Sequence, residues 1–169
     1  MNSEKAIGIK LLSDADLGRS PRSNQTHIGL SIKTLTFLRN GEIVDDVILV
    51  YKNKSYSLCC NFDLIVRENG RIDAPKIRKG FFGDSVVDII RDKCSNDPGY
   101  DWYLIWFGLR NNKLVFWLIR EDSEDFTRMR PFLSSTMKVF DSTNSDLKPL
   151  TIEIEKKLSN FPIWDNIIK

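Results

Sequence analysis

Two stretches of this chain carry side chains suited to gripping a polyanion. The first runs from Leu11 to Ile32 and reads LLSDADLGRSPRSNQTHIGLSI. Its polar middle holds Arg19, Ser20, Arg22, Ser23, Asn24, Gln25, Thr26 and His27, the one histidine of the sequence. A guanidinium fork fits two phosphate oxygens or the O6/N7 edge of guanine, so Arg19 and Arg22 suit either target. Amides pair with adenine, which makes Asn24 and Gln25 candidate base readers. The hydroxyls of Ser20, Ser23 and Thr26 can bond phosphates without reading sequence. Ordinary connections run to about 4–6 residues, so a loop this long calls for a function, although a plain solvated loop would have the same composition.

The second stretch runs from Arg67 to Lys79. Here Arg67, Arg71, Lys76, Arg78 and Lys79 stand against Glu68 and Asp73, a net of +3 in a chain whose total is +2. Arg71, Lys76, Arg78 and Lys79 are expected to contact bases or phosphates. Asp73 is expected either to accept from a cytosine amino group or to orient an arginine. The bland alternative is a basic edge strand that resists aggregation. Two such segments in one small chain fit a grip on a duplex from two sides.

Catalytic chemistry has weaker support. A hydrolase triad would need His27 beside a nucleophile and a carboxylate, and a lone histidine at a loop end is more often a hydrogen-bonding residue. No GxxxxGKS/T or GxGxxG run is present. Cys59, Cys60 and Cys94 form no CxxC, so a zinc site is not expected and buried free thiols are. A compact magnesium-dependent nuclease remains as an alternative. Glu155-x-Lys157 with Asp146 upstream, or Glu153 in place of Glu155, has the right types, but the same residues fit a solvated charged face. The expectation is therefore no catalytic residue, no metal and no cofactor in this chain.

The elements that would hold these residues are mostly strands. Ala6 to Leu12 and His27 to Ile32 read as strands on either side of the polar loop. Lys33 to Leu38 fits a short helix or an extension of the second strand. Asp46 to Lys52 and Ser55 to Val66 are β-branched and aromatic, with a tight turn expected at Asn53-Lys54. Pro75 argues for an edge or a loop over Ile72 to Lys79. Asp84 or Ser85 can cap a helix through about Lys93, where Val86, Val87, Ile89 and Ile90 fall at helical spacing. Trp102 to Leu109 and Lys113 to Ile119 form the clearest hairpin, dense in large side chains. Glu124 to Arg130 suggests a helical turn closed by Pro131. Leu133 to Phe140 reads as a strand, and Leu150 to Leu158 fits either strand or helix. Seven or eight short strands with one or two helices make a mostly β sandwich or barrel.

Composition sets the bounds. At 169 residues, with 41% hydrophobic side chains, the chain is most simply one globular domain with a substantial core. No apolar run reaches the 18 or so residues of a membrane span, and the N-terminus lacks the order of a signal peptide, so a cytoplasmic location without membrane contact is expected. The small net charge means that any electrostatic grip must be local.

Lys10, Leu12, Ser13, Asp16 and Gly18 fit the pattern Lys-x-Leu-Ser-x-x-Asp-x-Gly, followed by Ser23, Gln25, Gly29 and Leu30. In these residues the chain resembles the N-terminal effector-binding domain of the EcoRII restriction endonuclease family, over about its first forty positions. The resemblance implies an open DNA-binding pseudobarrel, shared in outline with plant B-three domains. Such a fold holds double-stranded DNA in the major groove with an N-terminal and a C-terminal arm. The polar loop falls where the first arm belongs, and Arg71–Lys79 where the second does. The role implied is sequence-specific target recognition within a restriction system, with a nuclease or motor domain or subunit elsewhere in the full protein. A protein-interaction β module is the remaining alternative. The loop departs from the family in carrying Arg-Ser-Pro-Arg where glycines are common.

Overall fold

A computed structural model describes residues 6–22, 24–30, 46–52, 54–59, 62–63, 66–73, 76–80, 84–97, 99–108, 114–129 and 150–153. The strands are β1 (Ala6–Leu11), β2 (His27–Gly29), β3 (Asp46–Tyr51), β4 (Lys54–Cys59), β5 (Phe62–Asp63), β6 (Lys76–Arg78), β7 (Trp102–Gly108), β8 (Leu114–Arg120) and β9 (Leu150–Glu153). Two helices accompany them, α1 (Val86–Ser95) and α2 (Glu124–Met129). The protein is mostly β, in two sheets that form an open pseudobarrel. The large sheet has the order β4-β3-β8-β7-β1-β9 and the small one β2-β6-β5.

The β7–β8 hairpin forms the middle of the large sheet. Its register pairs Trp102 with Arg120 and Gly108 with Leu114. Every residue from Trp102 to Trp106 and from Leu114 to Ile119 is buried. Side chains alternate across a strand, so burial of the whole run means that both faces are covered. On one face Trp102, Leu104, Trp106, Phe116 and Leu118 pack with Val86, Val87, Ile90 and Cys94 of α1. On the other, Tyr103 meets Phe126 of α2 at a ring-centroid distance of 5.2 Å. Among the described residues all pairings are antiparallel except that of β3 with β8, which aligns Leu49 with Phe116 in parallel. The connection between those two strands contains the β5–β6 hairpin and α1. Among the described residues no helix is long and apolar enough to cross a membrane.

Several boundaries differ from the sequence expectation. Lys54 is already in β4, paired with Tyr51, so it is not a turn residue; Lys52 takes a φ of +53°, as tight hairpin turns require. The run from Ser55 to Val66 is two strands in different sheets, so the described residues hold nine strands. Apolar content marks a strand but not a change of sheet. The segment around Pro75 is not an edge: β6 lies between β2 and β5. The described strand begins at Lys76, the residue that follows the proline in sequence. The ambiguous Leu150–Leu158 stretch begins as a strand, with Ile152 opposite Ile7. The segments Lys33–Leu38 and Leu133–Phe140, the residues Ser23, Asp146, Glu155 and Lys157, and the C-terminal tail lie outside the described residues.

Candidate nucleic-acid interface

The first half of the polar loop is folded down onto the body of the protein. Asp16, 1% exposed, is its centre. The ammonium of Lys10 lies 2.9 Å from its carboxylate and also donates to the Gly29 carbonyl at 3.2 Å. The Ser13 amide and the Gln25 side-chain amide donate to Asp16 at 3.0 and 2.9 Å, and the Asp16 amide donates back to Ser13 Oγ at 3.2 Å. A buried carboxylate needs this many donors to offset its lost hydration.

Arg91 of α1 locks the same node from beneath. Its guanidinium donates to the carbonyls of Asp16 at 3.0 Å, Ala15 at 3.3 Å and Gln25 at 2.8 Å. Gly18 lies directly over it with a φ of +70°, and a Cβ there would sit 3.3 Å from the Arg91 side chain. Glycine is thus favoured by the backbone conformation, and a larger residue would also press on the Arg91 side chain. Lys10, Ser13, Asp16, Gly18 and Gln25, all part of the motif noted in the sequence, build this fold of the loop. Arg19 reaches the other end of α1, where it donates to the carbonyls of Cys94 and, at 3.4 Å, Asp97. A cation at a helix C-terminus satisfies carbonyls that the helix leaves open.

Beyond this base the loop is exposed at Pro21, Arg22, Asn24 and Thr26. It then enters β2, and there the two basic stretches meet. His27 pairs with Arg78, Ile28 with Ile77 and Gly29 with Lys76, and the Lys79 amide donates to the Thr26 carbonyl at 2.8 Å. Ile28 and Ile77 are fully buried. Alternation therefore turns His27, Lys76 and Arg78 to the opposite face. The His27 imidazole is held below its ordinary value of 6.5, first by partial burial and then by the nearby Lys76 and Arg78 charges.

The second stretch is a hairpin that carries β5 and β6 at its base and a turn at its tip. Phe62 pairs with Ile77 and Asp63 with Lys76, and further out Val66 bridges Ile72. At the tip the Arg67 amide donates to the Arg71 carbonyl at 2.7 Å, and Gly70 takes a φ of +79°. Arg67, Glu68, Asn69, Gly70 and Arg71 are all exposed. The Arg67 guanidinium lies 2.5 Å from the Asp73 carboxylate, which lowers the Asp73 pKa mainly through that hydrogen bond. Of the two roles expected for Asp73, the arrangement here is the pairing with an arginine.

No protein-family model matches the chain, and no curated protein does. Among solved structures the chain is similar to the N-terminal domain of Helicobacter pylori LlaJI.R1, at 12% sequence identity and a TM-score of 0.47, covering 89% of this chain and 99% of that one.

The structure thus divides the sequence candidates into two groups. Arg22, Asn24, Arg71, Arg78 and Lys79 are exposed, and His27 and Lys76 are half-buried beside them. Arg19 and Gln25 hold the loop against α1 and β2, and Ser20 is half-buried with its amide on the Asp14 carbonyl at 3.3 Å. Arg67 and Asn69 join the exposed tip; the sequence reading counted Arg67 in the basic stretch but named neither residue among the expected contacts. Their signal was the Arg67-Glu68-Asn69-Gly70-Arg71 turn, which marks the point of a hairpin farthest from its base.

Proposed function

We propose that this chain binds double-stranded DNA in the major groove, as the target-recognition module of a restriction system. The observation that carries the reading is the β2–β6 ladder, which sets the exposed end of the polar loop beside Lys76, Arg78 and Lys79. The charge is polarised as well: Arg67–Lys79 carries +3 of a chain total of +2, so the remaining residues sum to −1. A two-stranded ribbon fits a groove about 12 Å wide, and the β5–β6 hairpin is such a ribbon with cations at its tip and base. In this reading Arg22, Asn24 and His27 of the loop share one contact surface with Lys76, Arg78 and Lys79 of the ladder beside it, and Arg67 and Arg71 extend that surface at the hairpin tip. Arg19, Asp16 and Gln25 are positioning residues that fix the loop. The motif Lys10-x-Leu12-Ser13-x-x-Asp16-x-Gly18, resembling that of restriction-enzyme effector-binding domains, supports the restriction role.

Fluorescence anisotropy with labelled random-sequence duplexes, titrated across salt, tests the proposal. Affinity is expected to fall linearly on a log–log plot, with a slope of about −0.9 per phosphate contact. A variant combining Arg71→Ala, Lys76→Ala, Arg78→Ala and Lys79→Ala should flatten that slope by several contacts. Unchanged affinity and slope in the quadruple variant would overturn the two-arm reading.

A further inference from the structure

The hairpin tip carries an apolar feature that phosphate contact does not explain. Val66 is 62% exposed and Ile72 41% exposed, two of the three large apolar side chains exposed among the described residues. They face each other across the hairpin as an isolated antiparallel bridge, so the two side chains share one face. Arg67, Arg71 and Lys76 surround them in the sequence, and the Arg67–Asp73 pair adjoins them. The register of the ladder slips here: two residues separate Asp63 from Val66, whereas three separate Ile72 from Lys76. Such a slip re-aims the outer part of a hairpin relative to its base.

An exposed apolar pair with Arg67 and Arg71 next to it in the chain matches one feature of a nucleic-acid groove. Base edges in the major groove are polar except for the C5-methyl group of thymine, and a methylated cytosine presents the same group. We propose that Val66 and Ile72 form a contact for a pyrimidine C5-methyl group, with Arg67 and Arg71 holding the flanking phosphates. The inference rests on the duplex-binding reading above. It gives the hairpin tip a specificity that its charges alone lack.

The test uses random-sequence duplex pools in four versions: thymine against uracil, and 5-methylcytosine against cytosine. The chain is expected to bind the methylated member of at least one pair several-fold more tightly. The thymine–uracil comparison and the cytosine comparison separate the two sources of the methyl group. The double variant Val66→Ser/Ile72→Ser should bring that ratio to one while the salt slope and thermal midpoint stay close to those of the parent. Val66→Leu/Ile72→Leu, which restores apolar surface, should restore the preference. Equal binding of all pools with an intact salt slope would overturn the methyl contact and leave duplex binding standing. Binding of no pool would overturn both. Sedimentation showing a dimer that the serine variant dissolves would assign the pair to a second copy of the chain and overturn the inference.

Discussion

At the scale of single residues, Asp16 holds more of the candidate site together than any cation. It is an acceptor for Lys10, Ser13 and Gln25, and its own carbonyl accepts from Arg91. Asp16→Ala would leave the Lys10 ammonium buried with only the Gly29 carbonyl, and removing one partner of a buried pair costs about 3–5 kcal/mol. The expected result is a lower denaturant midpoint with an unchanged slope, together with weaker duplex binding although no cation has been removed. His27 makes a second prediction. Its folded value lies below 6.5, so the unfolded chain takes up the proton first as pH falls. Its contribution to stability is therefore complete above about pH 6.5 and is lost as pH falls through the folded value. A bound polyanion favours the charged imidazole, so duplex affinity should rise over the same window. His27→Gln should flatten both profiles, read by urea midpoints and anisotropy at pH 5.5 and 7.5. If His27→Gln and the parent gave parallel affinity profiles, His27 would have no place at the interface. The roles of Arg19 and Gln25 were not legible in the sequence, because a donor has the same appearance whether it faces a phosphate or, as here, a helix-end carbonyl seventy-odd residues away for Arg19 and the Asp16 carboxylate for Gln25.

At the scale of elements, α1 connects the two basic stretches. Ser85 caps it: Ser85 Oγ accepts from the Asp88 amide at 3.2 Å, and Asp88 Oδ2 accepts from the Ser85 amide at 3.3 Å. The same Asp88 oxygen accepts from the Gly80 amide at 3.1 Å, which fixes the exit of β6 to the start of the helix. Losing a serine cap costs about 1 kcal/mol. Ser85→Ala should therefore lower stability by roughly that amount and speed hydrogen exchange at Gly80. Unchanged exchange at Gly80 would mean that the cap and the arm are independent. The helix itself was legible, since Val86, Val87 and Ile90 have the spacing of one buried face and Ser85-x-x-Asp88 is a recognisable start. So was the β7–β8 hairpin, whose aromatic density admits no exposed alternative. The division of Ser55–Val66 between two sheets was not, because hydropathy does not record which sheet a strand joins. The central position of β6 was missed because a proline in a stretch weighs against a central strand, whereas β6 is the short run Lys76–Arg78 that follows it.

At the scale of the whole molecule, the sequence announced the hairpins but not how they join. That β3 lies parallel to β8 is seen only in the fold, since local pattern says nothing about which strands from distant segments become neighbours. That parallel seam has a consequence for how the chain acquires its structure. The β3–β4 and β7–β8 ladders close over short loops, whereas the seam cannot form until everything between β4 and β7 has been gathered in, a costly closure. The two hairpins should therefore form early and the seam late. Ile90→Ala, in the helix enclosed between the two hairpins, should chiefly accelerate unfolding, and Leu104→Ala, within the β7–β8 ladder, should chiefly slow folding. Stopped-flow kinetics with the two effects reversed would place the enclosed helix in the nucleus. The basic hairpin lies inside the segment that the seam encloses, so it is among the last parts of the chain to find its place.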